Sequence, residues 1–137
     1  MADRNVSDLC PELQGLLPVF IANCADDGIT VRAIVTWRSA TDQNDAKLAG
    51  LSNAAAGQSP HNHINAQGLP CSLAFDFGVF DQGAYVQNGQ DARYSKAGAI
   101  AKGMGLVWGG DFTHPDYDHI ELANWRQYGS NVETATA

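Results

Sequence analysis

Leu73-Ala74-Phe75-Asp76-Phe77 sets a single carboxylate among apolar and aromatic side chains. Such a run reads as a strand, and on a strand successive side chains point to opposite faces. Phe75 and Phe77 then share one face, suited to a core, while Ala74 and Asp76 share the other. Asp76 is therefore a carboxylate presented from a rigid element. Downstream, Asp81-Gln82-Gly83 signals a turn, and Ala84-Tyr85-Val86 pairs back as a short hairpin arm. Residues 92–103 predict a small helix, weakened by Gly98 and ended by Gly103 or Gly105. Leu106-Val107-Trp108 is a third strand, broken by Gly109-Gly110. After a polar loop over 111–118, His119-Ile120-Glu121-Leu122 is a fourth, with His119 and Glu121 on one face and Ile120 and Leu122 on the other.

Upstream of that central strand, residues 50–70 are rich in Gly, Ser, Asn, Ala and Pro without an apolar period, which predicts a long functional or disordered loop. Ser39 is an N-cap for a helix through Lys47 or Leu48. Ile29 to Thr36 is β-branched and predicts a strand. Leu9, Leu13, Leu16, Leu17, Phe20, Ile21 and Cys24 recur at helical spacing, so 8–26 predicts one or two helices, with Pro18 as a kink or a second start. Helices and strands mix without a βαβ rhythm. The expected class is α+β, a small antiparallel sheet flanked by helices. One domain is expected over 1–128, with 129–137 as a flexible tail.

The 137 residues suffice for one self-standing core. With 45% apolar residues, 17% charged and scattered glycines, the chain is neither collagen-like, coiled-coil nor wholly disordered. Its formal charge is 8 − 15 = −7, which argues against nucleic-acid binding and against adhesion to an anionic membrane. No run approaches the ~18–20 apolar residues of a membrane span, and Met-Ala-Asp-Arg-Asn lacks the layout of a secretory signal, so synthesis in the cytoplasm is expected. Cys10, Cys24 and Cys71 are odd in number and far apart, and read as small buried hydrophobes rather than a disulfide framework.

The four histidines fall in two segments, His61 with His63 and His114 with His119. Asp76 follows the first pair, and Asp111, Asp116, Asp118 and Glu121 surround the second. A catalytic zinc site needs three such ligands and one open position. Two strands that offer polar atoms from apolar backing suit a preorganised site of this kind. Taken singly, each residue also has an ordinary structural role: an Asp accepting backbone hydrogen bonds, or a His paired with a carboxylate.

Ser59-Pro60-His61, then Ala74-Phe75-Asp76-Phe77, then Trp108-Gly109-Gly110-Asp111, and finally Asp116-Tyr117-Asp118-His119-Ile120-Glu121-Leu122 follow in order. Together they resemble the zinc D-alanyl-D-alanine carboxypeptidase / L-alanyl-D-glutamate endopeptidase family. Thr36-Trp37-Arg38-Ser39 with Gln43-Asn44 is similar to an upstream element of that family. The resemblance implies a Hedgehog/DD-peptidase-like fold, with His61, Asp76 and His119 holding Zn2+. It implies Asp116 as general base and Arg38 as the group that holds a substrate or transition-state oxygen. Residues 62–75 separate the first two ligands by more than in compact members, and His63 lies inside that stretch. The Ser-x-His spacing favours His61 over His63. Asp, rather than Glu, at the base position is similar to the endolysin-like branch and favours the L-alanyl-D-glutamate bond over D-alanyl-D-alanine. Asp118 is the competing base, although on an extended strand it would face away from His119. Glu121 would orient His119 from behind, and His114 reads as exposed loop.

The implied substrate is a peptidoglycan stem peptide, cut by a monomer during endolysin-like, antimicrobial cell-wall lysis. Without an export signal, that role implies a holin-like permeabilising partner before the enzyme reaches the periplasm. Two readings of other classes are a metal-dependent nuclease, suggested by His61-Asn62-His63, and a silent wall-binding module. A basic surface is missing for the first, and the second has no use for a base beside a metal.

Overall fold

The computed structural model describes residues 3–39, 48 and 60–128. The first helix, α1, runs unbroken from Pro11 to Asp26, one helix where the periodicity left room for two. Proline at its first position costs nothing, because that amide has no partner within the helix. Leu13, Leu17, Phe20 and Cys24 form its buried stripe. Pro18 lies on the exposed side, where water reaches the Gln14 carbonyl that it leaves without an amide partner.

The strands are β1 (Thr30–Val35), β2 (Ala74–Asp81), β3 (Ala84–Val86), β4 (Leu106–Trp108) and β5 (His119–Leu122), with α2 (Ala92–Gly103) between β3 and β4. They form an antiparallel sheet in the order β1-β2-β5-β4, with β3 also on β2. The fold is α+β, as the sequence implies. β2 continues four residues past Phe77, because Gly78-Val79-Phe80-Asp81 keeps pairing with β1 and β3. Gln82 (φ 50°) and Gly83 (φ 85°) close the β2–β3 hairpin, both on the positive-φ side that matches strand twist in a two-residue turn.

Phe75, Phe77 and Val79 of β2 are fully buried, and Phe20 packs on Phe75 and Phe77 with ring centroids 5.6 and 5.3 Å apart. That leaves the face bearing Asp76 turned away from α1. Gly98 interrupts α2 for a packing reason: a Cβ there would lie 2.3 Å from the Trp108 ring. Cys10 and Cys24 are buried free thiols, each pushed by burial up to about 11.

The described part of the expected 50–70 loop, residues 60–70, holds local structure and carries His61. Residues 60–62 form a buried 3-10 turn, and Ile64 bridges to Pro70. Backbone bonds from Leu73 to Pro60 (2.9 Å) and from Cys71 to His63 (2.9 Å) tie the segment to the start of β2. Of the helix capped by Ser39, only Leu48 is described, and it is helical and exposed. Its other residues, together with Gln43, Asn44, Ser59 and the 129–137 tail, lie outside the described residues.

Candidate metal centre and active site

Strand register makes the first contact. β2 and β5 pair with Asp76 opposite His119 and Ala74 opposite Glu121, so all four side chains share the face away from α1. The third component, His61, comes from the Pro60–Asn62 turn. His61 Nδ1 lies 3.0 Å from the carbonyl of Thr36, just beyond β1. Thr36 is fully buried and fixed by Asp3, through a 2.7 Å backbone bond and a 2.7 Å bond from its hydroxyl to the Asp3 carboxylate.

Both imidazoles converge on one oxygen. His61 Nε2 and His119 Nδ1 each lie 3.2 Å from Asp76 Oδ1, and the far nitrogen of His119, Nε2, lies 2.8 Å from Glu121 Oε1. A carbonyl and an ionised carboxylate only accept. His61 therefore donates from Nδ1 to Thr36, and His119 from Nε2 to Glu121. In the neutral imidazoles the remaining nitrogens are lone pairs, aimed at an oxygen that is also a lone-pair donor. Three electron-pair donors within 4.8 Å of one another, all buried, call for a cation among them.

A proton meets that demand in the metal-free protein. Burial works against the charged form of His119, yet its bonds to Asp76 and Glu121 outweigh burial and push it up to about 10. Burial likewise opposes ionisation of Asp76, but the charges and hydrogen bonds of His61 and His119 hold it well below the usual carboxylate range. A divalent metal meets the same demand. Two imidazole nitrogens and one carboxylate oxygen form a donor set of the catalytic zinc type, and Thr36 and Glu121 hold the two rings from behind.

Asp116 and Arg38 stand at the edge of this cluster. Asp116 Oδ2 is 4.0 Å from His119 Nδ1, with its side chain 55% exposed. Gly109 makes that approach possible: the Asp116 amide donates to its carbonyl at 2.9 Å, and a Cβ on it would lie 2.4 Å from the Asp116 carbonyl oxygen. The Arg38 guanidinium is 4.0 Å from Asp76 Oδ2. Its backbone is fixed on both sides by the turn that carries His61, since its amide donates to the His61 carbonyl (3.0 Å) and its carbonyl accepts from Asn62 Nδ2 (2.8 Å).

Asp118 corrects the expectation that it faces away. It belongs to a turn before β5, where strand alternation does not apply, and its carboxylate lies with those of Asp76 and Asp116. Burial first, then the charge of Asp76 and a hydrogen bond with Asp116, push it up to about 9. His63 is not part of the cluster: its Nδ1 lies 3.0 Å from the Cys71 carbonyl and its ring meets Tyr128. His114 is exposed, and Asp111 pairs with Lys102 at 2.9 Å.

Beside Asp116 and Asp118 opens a cavity of 240 Å³, lined also by Tyr85, Gln87, Tyr94 and Tyr117. Sequence reading missed Asp3, Thr36 and Asn62, whose roles arise from backbone contacts across 24 residues or more and leave no spacing signal.

Residues 52–122, just over half the chain, match a family model described as D-alanyl-D-alanine carboxypeptidase. Among solved structures, the chain is similar to the crystal structure of the Serratia marcescens L-Ala D-Glu endopeptidase ChiX. The TM-score is 0.62 at 20% identity, over 95% of this chain and 93% of that one, a likeness of fold. No curated protein matches the chain.

Proposed function

The chain belongs to the D-alanyl-D-alanine carboxypeptidase family of peptidases, and from that premise we propose that it is a zinc-dependent enzyme that hydrolyses the L-alanyl-D-glutamate bond of peptidoglycan stem peptides. The convergence of His61 Nε2, Asp76 Oδ1 and His119 Nδ1 on one point carries this reading. Zinc held by these three side chains would supply Lewis acidity and lower the pKa of a water from 15.7 towards ~7.

The chain's own groups do the rest. Asp116, open to the cleft, takes the proton of the attacking water and returns it to the leaving amine, a role typically worth ~10²–10⁴ in rate. Asp118, half-buried and protonated around neutral pH, donates to Asp116 and keeps a second negative charge from crowding it. Arg38 aims a fixed fork of donors at the carbonyl oxygen as charge develops there, or at a substrate carboxylate. Glu121 and the Thr36 carbonyl keep each imidazole in the tautomer that leaves the inner nitrogen bare.

Digestion of purified peptidoglycan followed by mass spectrometry of the fragments tests the bond. New N-terminal D-glutamate is expected. Release of free D-alanine would assign the chain to carboxypeptidase action, and no release of either would overturn the reading.

A further inference from the structure

The sheet face that carries Asp76 extends well beyond the metal centre. Along β2, residues 76, 78 and 80 point away from the core that buries Phe75, Phe77 and Val79. Register sets Arg32 of β1 beside Gly78, and Tyr85 of β3 beside Phe80. The Arg32 guanidinium lies 4.3 Å over the Phe80 ring, and the Phe80 and Tyr85 rings are 5.5 Å apart, tilted by 35°. Gly78 is the floor of this arrangement. A Cβ there would meet Tyr85 ring carbon at 2.8 Å and Phe80 ring carbon at 3.1 Å, so the missing side chain lets both rings lie down on the backbone.

Tyr85 is 42% exposed and Arg32 is exposed, with Phe80 half-buried beneath the guanidinium. They are also continuous with the candidate active site, because Tyr85 lines the same cavity as Asp116 and Asp118. The exposed Tyr85 ring, beside a Phe80 ring that holds the planar Arg32 cation over its face, suits a ligand with an apolar ring face and polar edges. It stacks on the ring while the guanidinium donates to its oxygens. A pyranose bearing an N-acetyl group has that character.

Distance selects which bond such a ligand would accompany. Gly78 is two residues from Asp76, about 7 Å along the strand. In a stem peptide the first alanine is joined to its sugar by a short lactyl linker, so the carbonyl of that alanine lies about 7 Å from the sugar at ~3.5 Å per residue-length unit. A bond at the far end of the stem would lie roughly 10 Å further away.

We propose that Arg32, Phe80 and Tyr85 form a subsite for the N-acetylated sugar to which the stem peptide is attached, a proposal that rests on the peptidase reading above. The subsite makes the enzyme a reader of glycan-linked peptides rather than of free ones, and it places the scissile bond next to the sugar.

Two soluble substrates test it, the stem tetrapeptide with and without its N-acetylmuramyl group, cleaved by the zinc-loaded wild-type chain and by Tyr85→Ala and Arg32→Ala. Both variants change exposed side chains, and thermal melting checks the fold. The wild type is expected to prefer the sugar-bearing substrate in kcat/KM by about tenfold, and each variant to bring that ratio towards one. Equal wild-type values for the two substrates, or a preference that survives both substitutions, would overturn the subsite. Failure of the wild type to cleave either substrate would instead overturn the peptidase reading.

Discussion

Asp116 and Asp118 show how environment separates two identical side chains two residues apart. Asp116 is largely in solvent, whereas burial and the charge of Asp76 keep Asp118 neutral to about pH 9. The first is suited to accept a proton, and the second is not. Asp116→Ala is therefore expected to keep the metal and lose roughly 10²–10⁴ in turnover, read by metal analysis alongside cleavage of purified peptidoglycan. His119→Ala should lose both. The two histidines of the 61–63 segment separate in the same way: His61→Ala is expected to abolish metal binding, while His63→Ala should leave metal stoichiometry intact. Spacing alone could not choose between them with certainty, because both imidazoles are buried and two residues apart; the turn at 60–62 makes the choice by aiming one at Asp76 and the other at Cys71.

At the scale of elements, β2 and β5 were legible because their alternation of core and polar residues has a period of two, which sets Asp76 and His119 on the polar face. The continuation of β2 to Asp81 was less legible, since Gly78 and the Asp81-Gln82-Gly83 turn weaken the pattern just where pairing with β1 and β3 maintains the strand. The placement of Asp118 is hidden for a related reason: it lies in the turn one residue before β5 begins, where strand alternation does not apply. The loop that brings Asp116 back to His119 depends on a bare Gly109. In Gly109→Ala the new methyl would meet rigid backbone at 2.4 Å, so the loop must shift. A fall in kcat of about tenfold or more with unchanged metal content is expected if Asp116 is the base proposed above, because small displacements of such a group are costly. Gly98→Ala should act on stability instead. Its methyl would overlap the Trp108 ring and cost about 1–3 kcal/mol, visible as a lowered Tm.

Across the whole molecule, a candidate metal centre closed from three segments ties pH, metal and stability together. In the metal-free chain, His119 is raised from 6.5 to about 10, so its contribution is complete below about pH 6.5 and is lost as pH climbs through 10. Asp118 is raised from 3.8 to about 9, and the cost of keeping it neutral grows as pH climbs from 3.8 to about 9. Asp76 is depressed, and its contribution is lost only as pH falls below the ordinary carboxylate value of 3.8. Metal-free protein is thus expected to be most stable near pH 4 and to weaken steadily towards pH 10. Added zinc should restore stability most at the alkaline end, since a bound ion stabilises the native state and takes the place of the proton. Thermal melts across pH, with and without zinc, check both signs. The most direct measurement is the zinc content of protein purified without added metal, followed by titration of the stripped chain. One zinc per chain, abolished by His61→Ala, Asp76→Ala or His119→Ala and retained by His63→Ala, is the expected result. A chain that carries no zinc and takes up none on titration would contradict the account.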